Sequence, residues 1–572
     1  MRWVLGSWAW AFVLVANASG GVVVGADVMA SATAAPGYEI VELVRGSWLR
    51  GANGTYVGPD GHLYVASTLS GAIVAFDVDS GDVVQRFGPA DGVLNPNDVT
   101  FGPDGSLYWT DLFVGEVGRR APDGTVTKQF VGPGVNPITF SDDGRLFVSR
   151  CFFGDGLYEL DPELTLPPRT IVEADEQNPL PLGWLNGIDF GPDGRLVGAL
   201  QAKGMFISID VDSCEGPSDP WSDCDVRLLA SGFPMPTTAR FDAQGVLHVV
   251  DMWAGEVSTL DLASGEPTLV AGPGQGLHDL AFDATGRLFV TNADDGSVIE
   301  VLRGGAVRLV KPGGLTAPAG VIVLERPGGG TSVLIGDNHR LWEFDAASGA
   351  LLGFTRGAAD PSGAAMWQPS TLWTDGEAIV LSNMMIGAVQ MVDARSLVPI
   401  ENHFFGFPYD AVRLGADLAV IDLMAGGVVW ASTRDLILAI DEQQVFLPVG
   451  LATDGERLWV SDWATGTVWQ VAFEGAAALP AVPVATALAN PEGLAPDGLG
   501  GLLVVETGAQ QLSRIDLATG AVEPIASNLD VGLAALPGMP PPFLRSGVTV
   551  DAAGAIYVIG DVTNVVYRVT RR

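Results

Sequence analysis

Residues 103–111 read PDGSLYWTD, and this phrase decides the fold because the chain repeats it. It returns as PDGHLYVAS from Pro59, DDGRLFVSR from Asp142, PDGRLVGAL from Pro192, AQGVLHVVD from Ala243 and ATGRLFVTN from Ala284. TDGERLWVSD from Thr453 and AAGAIYVIG from Ala552 continue the series. Weaker copies near Val333, Asp375, Gly415 and Asp497 bring the number to twelve, spaced by about 40 to 55 residues, the period of a four-stranded propeller blade. In the first copy a strand at 53–57 meets a Pro-Asp-Gly turn whose glycine supplies positive φ, and a second strand follows at 62–66. A third strand, 72–77, ends at Asp79-Ser80-Gly81, and a fourth spans 83–87. Related turns recur after Asp261, Asp345 and Asp516; their aspartates are read as hairpin chemistry rather than calcium ligands.

Twelve repeats exceed the four to eight blades of one ring. The expected fold is all-β: two tandem six-bladed β-propellers with four-stranded blades, residues 37–303 and 304–572. Segment 38–44 precedes the first repeat and the last repeat runs out at 565–570, while the sixth has three strands through Leu302 before segment 306–310. Pairing of a ring's first strand with its last blade closes each ring, so both are expected to close alike, with a boundary at Arg303-Gly304-Gly305. Seven plus five blades is the alternative.

Outside the repeats, Arg2 and an apolar run from Trp3 to Ala16 precede the small-x-small tripeptides 16–18 and 32–34. That run is shorter than the roughly 20 residues of a membrane span, so residues 1–36 are read as a cleaved secretory signal and a flexible N-terminal segment, a retained anchor being the lesser reading. Export to a secreted, periplasmic or cell-surface location favours a disulfide between Cys214 and Cys224 across CEGPSDPWSDC; Cys151 beside Phe152 is read as a buried thiol. A net charge of −37, from 30 Lys+Arg against 67 Asp+Glu, argues against nucleic acid and anionic membrane as partners. The mature chain is expected to have no membrane span and to be a monomer that meets a small molecule or an extracellular protein or glycan.

The candidate site comes from the residue eight places before each turn glycine, where the innermost strands begin. In the first six repeats it is Asn53, Asn97, Asn136, Asn186, Thr237 and His278, all polar; in the second half it is Ala319, Ser370, Tyr409, Val449, Glu492 and Ser546. Function is therefore expected in the first ring. Glu492 alone, without a matching Asn or Asp ring, is read as a solvated channel residue. The chain offers no Gly-x-Ser-x-Gly, Cys-x-x-Cys or His-Glu-x-x-His motif.

NPNDVTFGPDGSLYWTD from Asn95 and LNGIDFGPDGRLVGAL from Leu185 resemble the gluconolactonase / senescence-marker (SMP-30-like) family and the broader NHL-type repeat propellers. The resemblance implies a divalent cation such as Ca²⁺ on the channel axis, held by Glu, Asn and Asp, and hydrolysis of lactones or related esters. Carried over by position, Asn186 falls on the metal Asn, Asn136 on the substrate Asn, Asn53 on the Glu and Thr237 on the Asp; Asn53 and Asn186 are taken as candidate metal residues, and Asn97, Asn136 and Thr237 as candidate substrate-binding residues. Both family carboxylates are then replaced, by Asn53 and Thr237, although calcium affinity rises with ligand charge. His278 is the remaining candidate acid/base; Asp279, adjacent on a strand, is expected to face away from it, as Asp98 is from Asn97. Two readings stand open: a metal-assisted hydrolase of a small lactone or sugar-like ligand, and a non-enzymatic extracellular binding scaffold.

Overall fold

The computed structural model describes residues 31–572, except 218, 327, 359–364, 442–444, 476 and 536–540. The apolar run and first tripeptide of the signal reading lie outside the described residues. Among those described, twelve antiparallel sheets of four or five strands form, with one two-stranded ribbon beside them. The first six sheets begin with Ala52–Val57, Pro96–Phe101, Val135–Phe140, Leu185–Phe190, Pro236–Phe241 and Leu277–Phe282. Each of these inner strands packs on the next, and the last packs back on Ala52–Val57; the later sheets, from Gly320–Glu325 onward, close in the same way. The fold is the all-β double propeller that the repeat implies.

Burial explains the repeat. The second strand of a sheet is covered on both sides by neighbouring sheets, so Leu63–Ser67, Leu107–Asp111 and Leu247–Asp251 are buried throughout. The outermost strands face water and carry the polar residues, as in Val83–Phe87. Hydroxyls then stitch sheet to sheet: Thr110 Oγ1 donates to the Asn136 carbonyl at 2.6 Å and Thr238 Oγ1 to that of His278 at 2.8 Å. Thr291 Oγ1 donates to the Asn53 carbonyl and so links the sixth sheet to the first. The aspartates of the recurring turns are consumed locally, since Asp77 Oδ1 accepts from the amides of Asp79 and Ser80 and the Ser80 hydroxyl, and Asp261 does the same with Ala263 and Ser264. They are hairpin residues, as their spacing suggested.

Closure differs from the expectation. Segment 306–310 does not open the second ring: Val307–Lys311 pairs with Val298–Val301 as the fourth strand of the sixth sheet. Gly304 and Gly305 both take positive φ (86° and 83°), and the Leu302 amide donates to the Ala306 carbonyl at 2.7 Å, so Arg303-Gly304-Gly305 is a three-residue hairpin turn and not a boundary. The first ring is thus six self-contained sheets. Strand β1 (Thr33–Ala34) adds a fifth strand to a second-ring sheet, along Val522–Ser527. Strand β2 (Tyr38–Arg45) pairs with the C-terminal strand Val565–Arg571 and completes the last sheet of the second ring. The division at 303/304 accordingly becomes a first ring of 52–311 lying between β2 and the rest of the second ring.

The chain crosses between rings at Gly46, whose missing Cβ would lie 2.3 Å from the Leu315 carbonyl oxygen. Loops at the ends where the inner strands begin, the mouth ends, meet there. Arg340 Nη1 reaches Asp295 at 3.0 Å and Arg356 Nε reaches Asp294 at 2.5 Å. Leu69 and Phe113 of the first ring pack on Ala317, Phe543 and Leu544. The Cys214–Cys224 disulfide is formed and Cys151 is a buried free thiol. Closing a loop with a sequence separation of 10 restrains the unfolded chain. The Cys214→Ser/Cys224→Ser variant is expected to lose about 2–3 kcal/mol, read as a lower melting temperature of the first ring that reductant no longer changes.

Candidate functional site at the mouth of the first ring

Each inner strand of the first ring starts with a register shift, between Pro96 and Asp98 in the second sheet and between Leu277 and Leu280 in the sixth. A bulge at that point breaks the alternation of side chains. Asn97 and Asp98 therefore line the same cavity, as do His278 and Asp279, contrary to the expectation that each aspartate faces away. Asn136 and Asn186 complete its wall; Asn53 and Thr237 do not line it, and Gly54 and Thr238 stand there instead. Of the six residues picked from the sequence, the structure brings four together.

The space they enclose is small. The cavity measures about 10 Å³, on the order of one water molecule. Asn97, Asn136, Asn186 and His278 are 3%, 1%, 2% and 8% exposed, so these side chains are buried around a narrow space. Several of their polar atoms nevertheless lack a protein partner: Asn97 Oδ1, Asn136 Nδ2, Asn186 Nδ2 and His278 Nδ1, with Thr237 Oγ1 nearby in the same state. A buried polar atom without a partner is costly, and together they mark a place for ordered water or a small guest.

Beneath the amides lies a charged group that the sequence reading left out. Arg240 is buried within 3.5 Å of both Asp279 oxygens, and the charges of Asp189 and Asp98 also act on it. Asp98 accepts from the amides of Val99 at 2.8 Å and Ile138 at 2.9 Å, Asp279 from Thr55 at 2.8 Å, and Asp189 from Phe241 at 2.9 Å. Each carboxylate thus ties its inner strand to a neighbouring one. Burial, and then the charge of Asp279, pushes Asp98 up to about 7 against the pull of Arg240. Burial holds the His278 imidazole below its ordinary value, with the charge of Asp279 acting the other way. The signal for this group was an Asp directly after the candidate residue in PNDVTF and LHDLAF, which strict alternation had turned away from that residue.

As arranged, these residues do not suit a resident calcium ion, which takes six to eight oxygens. Asn186 Oδ1 already accepts from the Gly187 amide at 2.9 Å, and the nearby carboxylates are engaged by backbone amides. Among the described residues no three His, Cys, Asp or Glu side chains are grouped to hold a metal.

The second ring carries its own buried acids. Glu492, expected to be solvated, is 1% exposed; it accepts from the Ser546 amide at 2.8 Å and the Thr507 hydroxyl at 2.9 Å. Burial and the charge of Asp561 push it up to about 8. Asp410 pairs with Arg545 and accepts from the Leu451 amide at 2.8 Å.

No family model matches the chain, and no curated protein does. Solved structures are similar in fold. Virginiamycin B lyase from Staphylococcus aureus is 14% identical over 52% of this chain and 95% of its own, with a TM-score of 0.36. A streptogramin B lyase is 15% identical over 52% and 94%, also at 0.36. A gluconolactonase from Xanthomonas campestris is 17% identical over 45% and 87%, at 0.34.

Proposed function

We propose that the chain is an exported, non-catalytic binding module that receives a protein partner on the exposed mouth-end loops beside the contact between the two rings. The observation that carries this reading is the narrowness of the first-ring site: its polar side chains surround about 10 Å³, too little for a lactone or sugar, and its acids are held by backbone amides. The loops after the second strands of several sheets offer apolar side chains on the mouth face instead. Phe152, Phe153, Met385 and Met424 are exposed there, at 42%, 48%, 46% and 64%. Phe153 lies 5.8 Å from Phe113, and Phe152 lies 5.1 Å from Trp184. Aromatic and Met side chains are favoured at protein interfaces. No helix among the described residues is long and apolar enough to cross a membrane.

Hydrolysis of a small lactone at the first mouth is the second reading, favoured by the unpartnered atoms of Asn97, Asn136 and Asn186 that surround one space. It requires the mouth to open and His278 to serve as base. Purified protein is expected to hydrolyse gluconolactone no faster than buffer, with or without added Ca²⁺ and with or without chelator. Chelator-sensitive turnover that His278→Ala abolishes would overturn the binding-module reading in favour of the hydrolase.

A further inference from the structure

A cavity of about 220 Å³ lies between the fifth sheet and the loop that enters it, with a lining that shares no residue with the polar cavity of the first ring. Its origin is visible by comparing two repeats. In the second sheet, DLFVGEV places Asp111 at the end of the second strand opposite Glu116 at the start of the third. Lys128 on the fourth strand, paired with Gly118, brings Nζ to 3.0 Å from Asp111 and 3.1 Å from Glu116. Trp109 lies over Gly118, fills the remaining space and donates its indole N–H to Asp111 at 3.0 Å.

The fifth sheet repeats the acids without the cation. DMWAGEV places Asp251 opposite Glu256 in the same register. Leu269, paired with Ser258, stands where Lys128 stands, and Val249 stands where Trp109 does. The smaller valine and the missing ammonium leave the cavity, which Asp251, Glu256, Ser258, Val249, Phe233 and Pro234 line. The Ser258 hydroxyl is an independent sign of a guest: the residue is only 7% exposed, it lines this cavity, and its side chain makes no hydrogen bond among the described residues. Asp251 Oδ1 accepts from the Trp253 and Ala254 amides at 3.0 and 2.8 Å and its Oδ2 from the Met235 amide at 3.2 Å, with no cation on Oδ2 among the described residues, whereas Asp111 Oδ2 accepts from both Trp109 and Lys128.

We infer that this cavity binds a primary ammonium group, with Asp251, Glu256 and Ser258 accepting its N–H bonds and Phe233, Pro234 and Val249 covering the alkyl chain. The protein's own Lys128 shows the geometry with which such a pair of carboxylates takes an ammonium. Two sources share this chemistry, a free alkyl diamine and a lysine side chain of a partner, and the net charge of −37 attracts either one. The inference does not depend on the reading of the first-ring mouth.

Titration calorimetry of the whole protein with 1,5-diaminopentane, and separately with a lysine pentapeptide and its Nε-acetylated form, tests it. Saturable binding is expected, about tenfold weaker in Glu256→Gln, whose side chain is exposed and safe to change. Leu269→Lys, at a 60% exposed position, is expected to fill the site from within and abolish binding. Whichever of diamine and peptide binds more tightly identifies the source. No saturable binding of either, binding that survives both substitutions, or equal binding of tetramethylammonium or the acetylated peptide would overturn the inference.

Discussion

A chain that begins at Ser47 is expected to lose the thermal transition of its second ring and to keep that of its first. Strand β2 is distant from the second ring in sequence yet completes it, running antiparallel to the C-terminal strand from Tyr38 opposite Arg571 to Arg45 opposite Val565. Tyr38 and Ile40 pack on the core that contains Val565, Tyr567 and Val569, while Leu43 and Val44 pack on the adjoining one with Val566 and Trp342. Full burial of such side chains stabilises by about 1.5–3 kcal/mol each, so the partial burial of four of them contributes on the order of 5 kcal/mol, comparable with the whole stability of a domain. Removal also leaves Val565–Arg571 as an open sheet edge, which invites association. The first ring needs none of this, because its sixth sheet is completed by Val307–Lys311. Calorimetry of the truncated protein against the intact one checks the prediction; two unchanged transitions would show that β2 is dispensable.

That strand also marks how far the sequence could be read. The repeat fixes blade size and blade number because its cause is local: a Pro-Asp-Gly turn, a strand buried on both sides, and an Asp that closes the next hairpin. Partnership of strands is not local. Residues 306–310 and 38–44 look alike as short apolar segments, and only the positive φ at Gly304 and Gly305 and the crossing at Gly46 decide that one folds back on its own sheet while the other travels to the far end of the chain. The polar ring was legible in part. Position eight before the turn finds Asn97, Asn136, Asn186 and His278, but a bulge at the start of each inner strand brings in Asp98 and Asp279 and moves Asn53 and Thr237 off the cavity wall. The links that those acids make between neighbouring inner strands are disclosed by no single repeat.

Arg240→Leu is the substitution expected to cost most at a single side chain. Arg240 is the buried cation facing Asp279, Asp189 and Asp98, and each of those acids also holds a backbone amide between inner strands. Removing one partner of a buried ionic group costs about 3–5 kcal/mol because the charges left behind stay out of water. The loss should depend on pH, with a determined sign. Asp98 is raised above its unfolded value to about 7, so between roughly pH 4 and that point the folded state holds a proton that the unfolded state has released. Stability from this group is therefore fully present at low pH and is lost as pH rises through the folded value. Arg240 limits that rise by favouring the charged form. Without it the folded value climbs further, so the window in which stability falls extends to higher pH. Urea unfolding of wild type and Arg240→Leu at pH 5 and pH 8 should show a larger difference at pH 8, where the carboxylates left by the arginine are forced to ionise or to take up protons against the solvent. An equal cost at both pH values would mean that Arg240 acts by packing alone and does not hold down the Asp98 value.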